Sequence, residues 1–77
     1  MLSEIDIRDW EKTEPVEKLY NVPRNTVVSV EGTNLPFFFE RLDGMYSICK
    51  EITGEVFHLA AASTVHIWKK KANAKTR

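Results

Sequence analysis

The side chains of this sequence best suited to nucleophilic or metal chemistry are a single cysteine, Cys49, and two histidines, His58 and His66. A thiolate beside an imidazole is a nucleophile with its base, and a thiolate with two imidazoles is most of a tetrahedral metal site. Neither pattern is completed by its surroundings. No further group is evident to orient a base, and a lone cysteine in an alternating run is usually a small buried apolar residue. The chain has no C-x-x-C, H-E-x-x-H, G-x-G-x-x-G or G-x-x-x-x-G-K-[ST]. Asp43, followed by Gly44, reads as a turn former rather than an acid. These observations point away from catalysis, from a bound metal and from a cofactor, and toward a non-catalytic binding protein.

Charge separates the chain into two parts. Its 11 basic and 11 acidic residues cancel, yet Lys69, Lys70, Lys71, Lys75 and Arg77 all fall in the final segment KKKANAKTR, which has no acid. Residues 1–68 are left with six basic against 11 acidic residues, a net charge of −5. A basic tail attracts phosphate backbones in a salt-sensitive, sequence-blind way, and Trp68 beside Lys69, Lys70 and Lys71 could stack a base. Nucleic-acid proteins usually add a basic body to such a tail. Nucleic acid is therefore the alternative partner and a protein the leading one. One cysteine allows no disulfide framework within the chain. The opening residues carry Glu4, Asp6 and Asp9, unlike a secretory or transit segment. No apolar run approaches the ~20 residues that cross a bilayer. The expectation is a cytoplasmic protein with no membrane partner.

The elements that position these residues follow from local patterns. Seventy-seven residues make a single domain, expected over 1–68 with a disordered basic tail at 69–77. Ser3 and Asp6 form an N-terminal capping pair, predicting a short helix from Glu4 to Lys12, with a second helical turn over 14–20. Ile5, Ile7 and Trp10 would be its docking side, and 1–25 would be the helical N-terminal segment. From Thr26 the period changes to two, and TVVSV, PFFFERL, MYSICKE, EVFHLAA and TVHIWKK read as five strands. The fold class is mainly β, a five-stranded barrel over 26–68 preceded by a short helix.

Asp43-Gly44 predicts a two-residue type I′ hairpin. That register sets Leu42 opposite Met45, Phe39 opposite Ile48 and Phe38 opposite Cys49. Phe37, Phe39, Tyr46, Ile48 and Phe57 then form the core face. Phe38, Glu40, Met45, Cys49 and His58 form a mixed outer face, the expected partner-binding site unless the N-terminal helix covers it.

The strand and turn order resembles the SH3-like barrels, the class that includes Tudor, KOW and Sm-type modules. The resemblance is carried by NTVVSVEG, FFFERLDGMYSIC and GEVFHLAAASTVHIW, and covers residues 26–68. The loop Gly32–Pro36 is shorter than the first loop with which SH3 domains grip proline-rich ligands, so proline-peptide recognition does not carry over. IRDWEK, YNVPRNT and LDGMYSIC look like segments of small accessory proteins of tailed bacteriophages. That resemblance implies a regulatory viral protein acting in the host bacterial cytoplasm by binding a host or viral protein.

Overall fold

From Thr26 onward, β-branched and aromatic residues build most of the strands of the computed structural model, which describes residues 7–71. A 3-10 turn at Ile7–Asp9 leads into β1 (Trp10–Lys18), and a second at Leu19–Asn21 connects to β2 (Thr26–Val30). Then come β3 (Phe37–Asp43), β4 (Tyr46–Lys50), β5 (Val56–Phe57) and β6 (Thr64–Lys70). All pairings are antiparallel, in one sheet of order β1-β6-β2-β3-β4-β5.

The chain is thus mainly β, but the expected five-stranded SH3-like barrel preceded by a helix is not what forms. Six strands make an open sheet, with β1 and β5 at its edges. The additional strand is β1, drawn from residues expected to be helical. The expected helix cannot extend through Lys12, because Trp10, Glu11 and Lys12 pair with Lys70, Lys69 and Trp68; residues 1–6 lie outside the described residues. The expected helical turn over 14–20 is likewise strand as far as Lys18, followed by the 3-10 turn at Leu19–Asn21. A short amphipathic helix is marginal by itself, whereas β6 offers this segment a ladder of backbone partners. Pro15 is tolerated because β1 is an edge strand. Between Lys12 and Val16 the register shifts. That irregularity is tied down by Thr13 Oγ1 donating to Ile67 O (2.7 Å) and His66 Nδ1–H donating to Thr13 O (2.9 Å).

The core lies on one face of the sheet, where Leu19, Val22, Val28, Phe37, Phe39, Cys49 and Val65 are buried together. Leu19 and Val22 come from the β1–β2 connection. Its position is fixed by Leu19 N–H donating to Ser63 O (2.8 Å) and Tyr20 N–H to Ala61 O (3.0 Å). Phe37 and Phe57 meet edge to face, ring centroids 5.0 Å apart. Cys49 on the intervening strand is opposite both Phe39 and Phe57, and its small side chain leaves room for those rings. The opposite face has a smaller buried group, Val27, Ser29 and Trp68.

β6 runs to Lys70, so the segment read as a disordered tail from Lys69 begins inside a strand. Lys71 N–H donates to Asp9 O at 2.9 Å, and 72–77 lie outside the described residues.

Candidate interaction surface

Two local irregularities in the β3–β4 hairpin decide what its surface presents. The turn residues are Gly44 and Met45, with Asp43 paired to Tyr46. Gly44 has φ 67° and Met45 has no positive φ, the pattern of a II′ turn with glycine first. The turn is therefore one residue later than the expected Asp43-Gly44 pair. Further along, Arg41 opposes Ile48 but Phe39 opposes Cys49, so β3 carries one extra residue at Glu40.

This bulge exchanges the faces of β4 relative to the phenylalanines. Cys49 and Ser47 turn into the core with Phe39, while Ile48 shares the other face with Phe38, which pairs with Lys50. The expected row of Phe38, Cys49 and His58 is accordingly divided. Phe38 is half-buried on the outer face, and Cys49 is fully buried on the core face. His58 is exposed and donates Nδ1–H to Ser47 O at 2.9 Å. Glu40 sits in the bulge and binds Arg41, Oε2 to Nη1 at 2.6 Å. Met45 is the hairpin tip, 82% exposed. Among the described residues no group of three His, Cys, Asp or Glu is placed to hold a metal ion.

Burial pushes the Cys49 thiol above its ordinary range, with the Ser47 hydroxyl, 3.3 Å from the sulfur, pulling the other way. The unfolded chain then gives up its thiol proton first, from about pH 8.5 upward, while the folded chain retains it. The stabilisation is complete below that pH and is lost as pH rises through the raised folded value. Urea melts of wild type and Cys49→Ala from about pH 7 to about pH 10 should diverge in slope. Wild type should lose up to ~1.4 kcal/mol more per pH unit above the unfolded value. Parallel slopes would show that the fold accommodates the thiolate.

Among the described residues, exposed large apolar side chains occur at Val16, Leu35 and Val56 and, at the hairpin end, at Tyr20, Leu42, Met45 and Tyr46. Tyr20 N–H donates to Ala61 O (3.0 Å) and Ala61 N–H to Met45 O (2.8 Å), which lines up the β1–β2 connection, the β5–β6 connection and the hairpin tip. Tyr20, Leu42, Met45 and Tyr46 are there 52%, 39%, 82% and 59% exposed. Beside them an open pocket of ≈ 400 Å³ is lined by Val22, Arg24, Phe39, Arg41 and Leu42. The loop before β2 shapes it. Asn25 takes a left-handed conformation (φ 61°), donates its N–H to the bulge carbonyl of Glu40 at 3.1 Å, and so sets Arg24 beside Arg41. Thr26 Oγ1 donates to Pro23 O at 2.7 Å and closes the same loop.

Of the residues expected from sequence to bind a partner, only Met45 lies in this exposed cluster, with Glu40 next to the pocket through Arg41. Tyr20, Val22, Arg24 and Tyr46 were not among them, and Leu42 was expected on the same face as Met45. The signal for Arg24 was the Val22-Pro23-Arg24-Asn25 break, a loop with a residue tolerant of the left-handed region. No sequence signal tied that loop to the hairpin. The residues of the nucleic-acid alternative are placed differently. Trp68 is 7% exposed and donates Nε1–H to Ser29 Oγ at 2.9 Å. Lys69 is exposed opposite Glu11, Lys70 is exposed opposite Trp10, and Lys71 is half-buried. Among the described residues no helix is long and apolar enough to cross a membrane. No family model, curated protein or solved structure matches the chain.

Proposed function

We propose that the chain is a small non-catalytic protein-binding module whose contact surface is the hairpin end. The observation that supports this most is the exposure of Tyr20, Met45 and Tyr46 around the Ala60-Ala61 segment, to which all three are tied by backbone pairing. Apolar clusters of this kind on a small domain mark contact sites when nothing intramolecular covers them, and methionine and tyrosine are favoured at interface centres. On the resemblance to phage accessory proteins, the partner is a host or viral protein in the bacterial cytoplasm and the role is regulatory.

Affinity capture with wild type, Met45→Glu and Tyr46→Glu tests the surface. Both side chains already face solvent, so each variant should melt within a few tenths of a kcal/mol of wild type while losing the partner. A partner recovered equally with all three proteins would place the contact elsewhere. The nucleic-acid reading has less support, because Trp68 is buried against Ser29 and Glu11 opposes Lys69. Its signature would be retention on a polyanion matrix that falls steeply with salt.

A further inference from the structure

We infer that the pocket beside the hairpin takes a linear acidic segment of another protein, one apolar side chain entering against Val22, Phe39 and Leu42 and an adjacent carboxylate meeting Arg24. This rests on the protein-binding reading above and gives the partner its chemistry.

The pocket walls divide into two kinds. Val22 and Phe39 are buried core residues that reach the pocket wall, and Leu42 is partly exposed beside them. An apolar side chain placed there would extend the core outward, and ≈ 400 Å³ is room enough for one. The other walls are the guanidinium-bearing residues Arg24 and Arg41. Arg41 is paired with its neighbour Glu40. Arg24 is exposed, and among the described residues its guanidinium has no ion-pair partner. The local balance is thus two cations to one anion, against a net −5 for residues 1–68. A carboxylate is the complement of the remaining guanidinium, which presents parallel N–H donors to it. The loop bearing Arg24 is fixed at both sides, by Asn25 N–H to Glu40 O and by Thr26 Oγ1 to Pro23 O. Less backbone ordering is therefore lost on binding. A nucleic-acid strand fits poorly, since it needs successive cations along a track where this site has one unpaired cation over an apolar floor.

The test is amide NMR of the full chain titrated with a capped peptide carrying one leucine between two glutamates. Two control peptides replace the glutamates by lysine or the leucine by serine. The expected result is saturable shifts centred on Val22, Arg24 and Leu42, with affinity reduced at least about tenfold, ~1.4 kcal/mol, by either control peptide and by Arg24→Glu. Arg24 is on the surface, so the variant should keep the wild-type melting temperature, and binding should weaken with added salt. Equal binding of the lysine peptide, shifts centred elsewhere, or no saturable shift at millimolar peptide each overturns the inference. So does binding that appears only after residues 1–6 are removed, which would make the chain's own N-terminus the occupant. Met45→Glu probes the wider surface outside the pocket. Loss of capture in Met45→Glu with undiminished peptide binding in Arg24→Glu would overturn the acidic-segment inference alone. Capture unaffected by Met45→Glu and Tyr46→Glu would overturn the wider reading while this titration still decided the pocket.

Discussion

Phe39→Ala should cost about 3–5 kcal/mol of folding stability, close to the whole margin of a domain this size. Phe39 is 1% exposed and belongs to the buried group with Leu19, Val22, Val28, Phe37, Cys49 and Val65. It lies between Thr26 on β2 and Cys49 on β4, near the middle of the sheet. Truncation removes a large ring from that buried group. Partial relief is available on one side only, because Phe39 also backs the pocket with Val22 and Leu42. The cost should therefore fall short of the upper limit if Leu42 collapses inward. Chemical denaturation would show a lowered midpoint with an unchanged slope. Phe39→Leu, which keeps most of the volume, should lose far less. If Phe39→Ala melts within a few degrees of wild type, the core is not where the sheet places it.

That Phe37 and Phe39 face inward was legible from alternation, and so were the strands around them. TVVSV is β-branched and stops at a glycine, and Asp43-Gly44 marks a hairpin that does form. What the pattern could not supply was the pairing inside the hairpin. An Asp-Gly pair serves a I′ turn with glycine second or a II′ turn with glycine first, and the local residues do not choose. Moving the turn by one residue shifts each pair by two positions and leaves the faces intact. The extra residue at Glu40 is what exchanges them, putting Cys49 and Ser47 in the core where Ile48 and Tyr46 were expected. A bulge of this kind is held by distant contacts, here the Asn25 N–H on the Glu40 carbonyl, which no alternation count contains. The candidate site moved for the same reason. With the faces exchanged, Phe38 and Cys49 part company, and Met45 is left as the exposed apolar tip of the hairpin.

β1 was illegible for a different reason. Residues 10–18 carry helix-compatible Glu and Lys beside Thr13, Pro15 and Val16, so local preference is divided. Tertiary context decides: β6 already pairs with β2 on one side and needs a strand on the other. The charged residues and Pro15 on the resulting edge fit a strand that discourages further pairing.

Trp68→Ala should be comparably damaging, about 3–5 kcal/mol, though it lies on the opposite face from Phe39. Trp68 and Ser29 are both buried, and the indole N–H donates to Ser29 Oγ, whose own hydroxyl reaches Thr33 O at 3.4 Å. Lys12, opposite Trp68 on β1, extends its ammonium to Asn34 Oδ1 (2.6 Å) and Thr33 O (3.5 Å), so the β2–β3 loop is held over the same region. Losing the indole removes buried apolar area and one end of this polar chain together. Two milder changes separate these contributions. Trp68→Phe keeps most of the ring and loses the hydrogen bond, a cost of about 1 kcal/mol. Ser29→Ala loses it from the other side, and the double variant should show a coupling of about 1 kcal/mol between the two. The same set tests the nucleic-acid alternative. A base-stacking Trp68 would be exposed, so Trp68→Ala would weaken polyanion binding and leave the melt unchanged. A buried Trp68 gives the reverse, a large drop in the melt and an intrinsic fluorescence that shifts to the red on unfolding. An unchanged melt in Trp68→Ala would mean that this second buried group does not contribute to the fold.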